Sequence, residues 1–102
     1  MSDESDVMAL HLKIHGRVQG VFFRRWVMEE ATARGLRGWV RNRSDGTVEA
    51  VFSGGMNAVR DMAKACHQGP DRARVTRVVQ IPGEFRPGDD DFGETFRQLP
   101  TV

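Results

Sequence analysis

The chain of 102 residues holds one cysteine, Cys66, and no tyrosine. A lone thiol cannot close an internal disulfide or supply a cysteine-based zinc knuckle, and such usage fits a reducing compartment. No apolar run approaches the roughly 18 residues that a membrane span needs, so no membrane partner is expected. The opening MSDESD has neither the basic nor the apolar region of a secretory leader, which adds to a cytoplasmic expectation. An excess of one charge is missing as well. Fifteen Lys and Arg stand against 14 Asp and Glu, a formal net charge of +1. That leaves no overall field to draw in nucleic acid, and no nucleic-acid partner is expected, although arginines can still cluster locally. Nothing calls for a second copy, and a monomer is expected.

What is present suits one soluble globular domain: 39% apolar and 28% charged residues. At this size roughly two-thirds of the unfolded surface can be buried around one core. A polar, acidic tail of residues 1–7 precedes a single domain of residues 8–102. Strict alternation from Met8 to His15, with Met8, Leu10, Leu12 and Ile14 on one side, predicts a half-buried strand. From Phe22 to Arg34, Phe23, Val27 and Ala31 recur every four residues, an amphipathic helix that Gly35 ends. GWVRNR and TVEAVF bracket Ser44, Asp45 and Gly46, predicting a hairpin over 38–53. Val59, Met62, Ala63 and Cys66 then mark a second helix, stopped by Gly69 and Pro70. RVTRVVQI reads as a strand whose Val75 and Val78 have opposite parity, so a bulge or ragged entry is expected. Residues 82–93 read as a loop, and ETFRQL as a short closing strand.

This order predicts an α+β, ferredoxin-like split βαββαβ sandwich: a mainly antiparallel sheet of four or five strands with both helices on one face. That architecture carries enzymes and binding modules alike and decides no function.

The stretch HGRVQGVFFRRW, residues 15–26, carries more. A loop entering a helix sets several backbone N–H groups at the positive end of the helix dipole, ready for an anion. Gly16 and Gly20 let the backbone fold into a concave nest, and Arg24 can close it with a planar fork matched to phosphate oxygens. The competing reading is a tight connection with solvated arginines. The pattern lacks the Gly-Lys-Ser/Thr ending of a P-loop, and the loop holds no carboxylate, Cys or other nucleophile. Phosphate chemistry here would rest on positioning and charge stabilisation. That suits a good leaving group: a carboxylate, whose conjugate acid has a pKa of about 4, departs without a proton donor.

GRVQGVFFR (16–24), Ala31, GL (35 and 36), GWVRN (38–42) and DGTVE (45–49) together resemble the signature of the acylphosphatases, which hydrolyse carboxyl phosphates. The similarity runs from about Leu12 to Gly69 and Pro70, and ARV (73–75) fits too. It implies the ferredoxin-like fold, an acyl phosphate substrate, and no metal or cofactor. It also implies a phosphate-binding loop of Gly16, Arg17, Val18, Gln19, Gly20, Val21 and Phe22, a phosphate-binding Arg24, and Asn42 as the residue that orients the attacking water. Alternation puts Val40 and Asn42 on one face and Trp39, Arg41 and Arg43 on the other. A carboxamide can accept from and donate to water without ionising, although Asn42 read alone also fits a turn former. The chain departs from the family pattern near its end, where Phe96 and Gln98 run into Pro100.

Other signals point elsewhere. Cys66 and Arg72 match the C-x5-R spacing of thiol phosphatases, but Cys66 falls on the apolar stripe of a helix that is ending. His11, His15 and His67 lack a further ligand and read as solvated. Asp89, Asp90 and Asp91 lack the spacing of a calcium loop. A non-catalytic, RNA-binding module using His11, Lys13, Trp39 and Arg41 on an open sheet face is the alternative function.

Overall fold

In the computed structural model, residues 6–83, 85 and 92–102 are described. They form β1 (Val7–Arg17), α1 (Phe23–Ala33), β2 (Arg37–Asn42), β3 (Val48–Gly55), α2 (Met56–Cys66), β4 (Arg74–Ile81) and β5 (Phe96–Gln98). The sheet order is β4-β1-β3-β2-β5. All neighbours are antiparallel except β2 and β5, which run parallel with Gly38 opposite Phe96. The expected ferredoxin-like sandwich and its closing strand are both present. Val7, assigned from the sequence to the tail, instead opens β1 opposite Gly55, and the Asp6 carbonyl accepts from Met56 N. The Asp89–Asp91 run and most of the 82–93 loop lie outside the described residues.

Period-two alternation sends Leu10, Leu12 and Ile14 of β1 to the same side as Val48, Ala50 and Phe52 of β3. The apolar stripes of the helices, Phe23, Val27 and Ala31 on α1 and Val59, Met62 and Cys66 on α2, close over that side. Each of the larger of these side chains taken out of water contributes roughly 1.5–3 kcal/mol, which is why stripe spacing dominates the fold. The parity conflict in β4 is resolved by a bulge. His15 faces Arg77 while Gly16 faces Val75, leaving Thr76 without an opposite residue, and Val75 and Val78 both pack on the core. Gly16 sits at this step with φ of 125°, and a Cβ there would lie 2.1 Å from the Arg74 carbonyl oxygen. Only glycine allows the two strands to approach so closely.

The second face of the sheet is not the open platform expected. Trp39 and Val51 are buried there with Phe92, and Ala9, Phe85 and Leu99 pack around them. His11, expected to be solvated, is buried between the rings of Trp39 and Phe85, and its Nε2 lies 2.6 Å from Glu49 Oε2. The covering residues come from the C-terminal third of the chain, so local alternation in β1 and β2 carried no trace of them.

Candidate active site

Between β1 and α1 the chain spends five residues, 18 to 22, turning from strand to helix. Val18 and Val21 bury their side chains in the core and anchor the loop at two points. Between and after them, Gly20 (φ 74°) and Phe22 (φ 59°) adopt left-handed backbone, and Phe22 is the one non-glycine with positive φ among the described residues. Such a conformation costs a bulky residue about 1–3 kcal/mol and tends to persist where function requires it. Phe22 is also the N-cap of α1, yet it makes no side-chain cap, and the first turn holds no acidic residue. Among the described residues no backbone carbonyl accepts from the amides of Gln19, Gly20, Val21 or Phe22. The positive end of α1 and a run of N–H groups with no backbone acceptor among the described residues therefore meet at one place.

Gln19 fixes that place against the hairpin. Its Nε2 donates to the carbonyls of Arg43 and Thr47, each at 2.8 Å, tying the loop to the β2–β3 turn. The turn is held by Asp45, which accepts from Thr47 N at 3.0 Å and pairs with Lys13 at 2.9 Å. Hydrogen bonds from Thr47, then Lys13, hold its carboxyl far below the usual carboxylate range. Asn42, the last residue of β2, stands at the mouth of this junction. Its Oδ1 is shielded from solvent and has no donor among the described residues. A buried acceptor without a partner costs roughly 1–3 kcal/mol.

A cavity of about 320 Å³ opens here, lined by Val18, Gln19, Gly20, Phe22, Arg24 and Asn42 together with Phe23, Arg25 and Gln98. Of the sequence-predicted site, then, Val18, Gln19, Gly20, Phe22, Arg24 and Asn42 come together. Gly16, Arg17 and Val21 do not line it: Gly16 and Arg17 end β1 opposite Val75 and Arg74, and Val21 points into the core. Arg24 makes no ion pair with a described residue, whereas Arg25 pairs with Glu29 at 3.4 Å. Gln98 was missed. It reaches the cavity because β5 lies parallel to β2 with Gln98 opposite Val40, a pairing that no local pattern encodes.

On the opposite face, Glu49 gathers the strand end that carries Asn42. Its Oε1 accepts from Arg41 Nε at 2.8 Å and Arg43 at 2.9 Å, and its Oε2 meets His11. Burial alone would raise this carboxyl; the hydrogen bonds from Arg41, His11 and Arg43 outweigh it and hold the pKa below the ordinary value. Cys66 is fully buried at the end of α2, and burial pushes its thiol up to about 12, which rules out the thiolate that C-x5-R chemistry needs.

Residues 10–93 match the family model described as Acylphosphatase. An acylphosphatase of Azorhizobium caulinodans is 52% identical over 93 residues, covering 91% of this chain and 96% of its own length. One from Rhodospirillum rubrum is 51% identical, covering 91% and 97%. The crystal structure of acylphosphatase from Bacillus subtilis superimposes with a TM-score of 0.80 at 34% identity, covering 90% of this chain and 98% of that one. The chain belongs to the acylphosphatase family. As an acylphosphatase it hydrolyses the carboxyl-phosphate bond of acyl phosphates, giving a carboxylate and inorganic phosphate.

Proposed function

We propose that the main-chain amides between Gly16 and Phe22, with the Arg24 guanidinium, hold the phosphoryl group of the acyl phosphate, and that Asn42 orients the water that attacks it. The phosphoryl oxygens accept from the free loop amides at the positive end of α1, and the guanidinium fork neutralises the remaining charge. Asn42 Oδ1 accepts a hydrogen bond from the water and turns a lone pair toward phosphorus. Attack in line forms the new P–O bond as the bond to the acyl oxygen breaks. The acyl oxygen leaves as a carboxylate, and a proton of the water passes to a phosphoryl oxygen. Rate enhancement comes from position and fixed dipoles.

The observation that carries this reading is Asn42: its Oδ1 has no partner among the described residues, yet it lines the same cavity as Arg24 and the uncapped loop. The test separates the two roles. Arg24→Ala is expected to lower kcat/KM on a small aryl acyl phosphate by about a thousandfold and to abolish competition by inorganic phosphate. Asn42→Ala is expected to lose turnover on a similar scale while phosphate still binds. Near-normal turnover in Arg24→Ala contradicts the assignment.

A further inference from the structure

The phosphoryl cradle accounts for one end of the substrate only. In-line attack places the leaving acyl oxygen on the side of phosphorus away from the water, and hence away from Asn42. A second cavity of about 310 Å³ adjoins the first and shares Phe22 and Arg25 with it, but Asn42 does not line it. Its remaining walls are Trp26, Glu29 and Pro70.

The sequence builds this groove directly. Phe22 and Trp26, and likewise Arg25 and Glu29, stand four residues apart, so all four share one outer stripe of α1 that runs from the loop for about 10 Å. The Arg25–Glu29 ion pair closes one flank. Trp26, half-buried against Phe23 with ring centroids 5.5 Å apart, forms the floor with Pro70 from the segment after α2. Phe22 is 76% exposed and held in left-handed backbone, so its ring stands out at the junction of the two cavities instead of packing into the core. Exposed aromatic surface that continues from a ligand cradle is the feature in need of a partner.

We propose that this groove is the acyl subsite: Phe22, Trp26 and Pro70 seat an uncharged, aromatic or branched apolar acyl group while the loop holds its phosphate. The inference rests on the phosphate assignment above and extends it to selectivity among acyl phosphates.

The experiment compares kcat/KM for benzoyl phosphate and acetyl phosphate, which share the phosphoryl group and differ only in what the groove receives. Wild type is expected to favour benzoyl phosphate. Trp26→Leu is expected to lower the benzoyl-to-acetyl ratio by about tenfold, the scale of one apolar contact in a pocket. Its rate on acetyl phosphate and its inhibition by inorganic phosphate stay unchanged. Trp26→Phe keeps a smaller aromatic floor and is expected to lower the same ratio to a lesser extent, so it reads the subsite should Trp26→Leu fail to fold. A ratio unchanged in the folded variants, with phosphate still inhibiting, overturns the subsite and leaves the cradle intact. Loss of phosphate inhibition in wild type would instead overturn the cradle.

Discussion

The fold contains two strand-to-helix junctions in equivalent places, and they differ in nearly everything except topology. From β1 to α1 the chain inserts five residues, two of them in left-handed backbone, and leaves a run of amides with no backbone acceptor among the described residues. From β3 to α2 there is no loop: Gly55 ends the strand and Met56 starts the helix, with φ of −58° and ψ of 137° at Gly55 and Met56 N satisfied by the Asp6 carbonyl. Neither helix has a side-chain cap. The second junction shows what connection alone requires. What the first adds is length, positive φ and a neighbouring arginine with no ion pair among the described residues, and the phosphate assignment proposed above draws on all three.

The comparison breaks first at Gly16. A Cβ there meets the Arg74 backbone at 2.1 Å and Thr76 N at 2.8 Å, so the β1–β4 step that launches the loop must move. Gly16→Ala is expected to cost more than about 3 kcal/mol in urea denaturation, since neither contact can yield by side-chain rotation. Gly20→Ala meets nothing within 4 Å and strains only its φ of 74°, at a cost of about 1 kcal/mol. Equal costs for the two would mean that close strand approach does not set up the loop.

A second test concerns support from across the sheet, which the β1–α1 loop receives through Gln19 and the β2–β3 turn. Glu49 holds Arg41 and Arg43 on either side of Asn42. Because its folded pKa is lowered, its contribution is fully present above the unfolded carboxyl value of about 4.3 and is lost as pH falls through the folded value. Glu49→Gln is expected to destabilise by about 2 kcal/mol at pH 7, leaving the part-buried Arg41 and Arg43 guanidiniums without their carboxylate. It should also flatten the loss of stability below pH 5, followed by thermal unfolding across pH. An unaltered acid limb would show that other carboxylates govern it.

The sequence made the helix-covered half of this molecule legible because its determinants are local. Leu10, Leu12 and Ile14 alternate, Phe23, Val27 and Ala31 recur by turns, and even the β4 bulge was written in the clash between Val75 and Val78. The other half depended on long-range partners. His11 looked solvated because Glu49 lies 38 residues away and Phe85 and Phe92 farther still. At the candidate site, Arg24 and Asn42, singled out as motif residues, line one cavity. Gln98, and the displacement of Gly16 and Arg17 into the strand, follow from pairings between distant segments. Residue chemistry at a site is thus easier to read than the division of labour within it, where one glycine shapes strands and another shapes the nest.

The smallest expected effect sharpens the contrast most. Gly55 is already in extended backbone suited to an N-cap, and a Cβ added there meets nothing within 4 Å. Gly55→Ser is therefore expected to stabilise by about 0.5–1 kcal/mol, because its hydroxyl can accept from a first-turn amide of α2 and the unfolded chain loses freedom. On the phosphate assignment proposed above, inorganic phosphate is expected to stabilise the same protein by filling the other junction. If the two ends are independent, the thermal gain from Gly55→Ser should add to that from saturating phosphate, within the few tenths of a kcal/mol typical of distant sites. A gain that shrinks when phosphate is present would mean that the α2 junction also takes the anion, and the division between a connecting turn and a binding turn would fail.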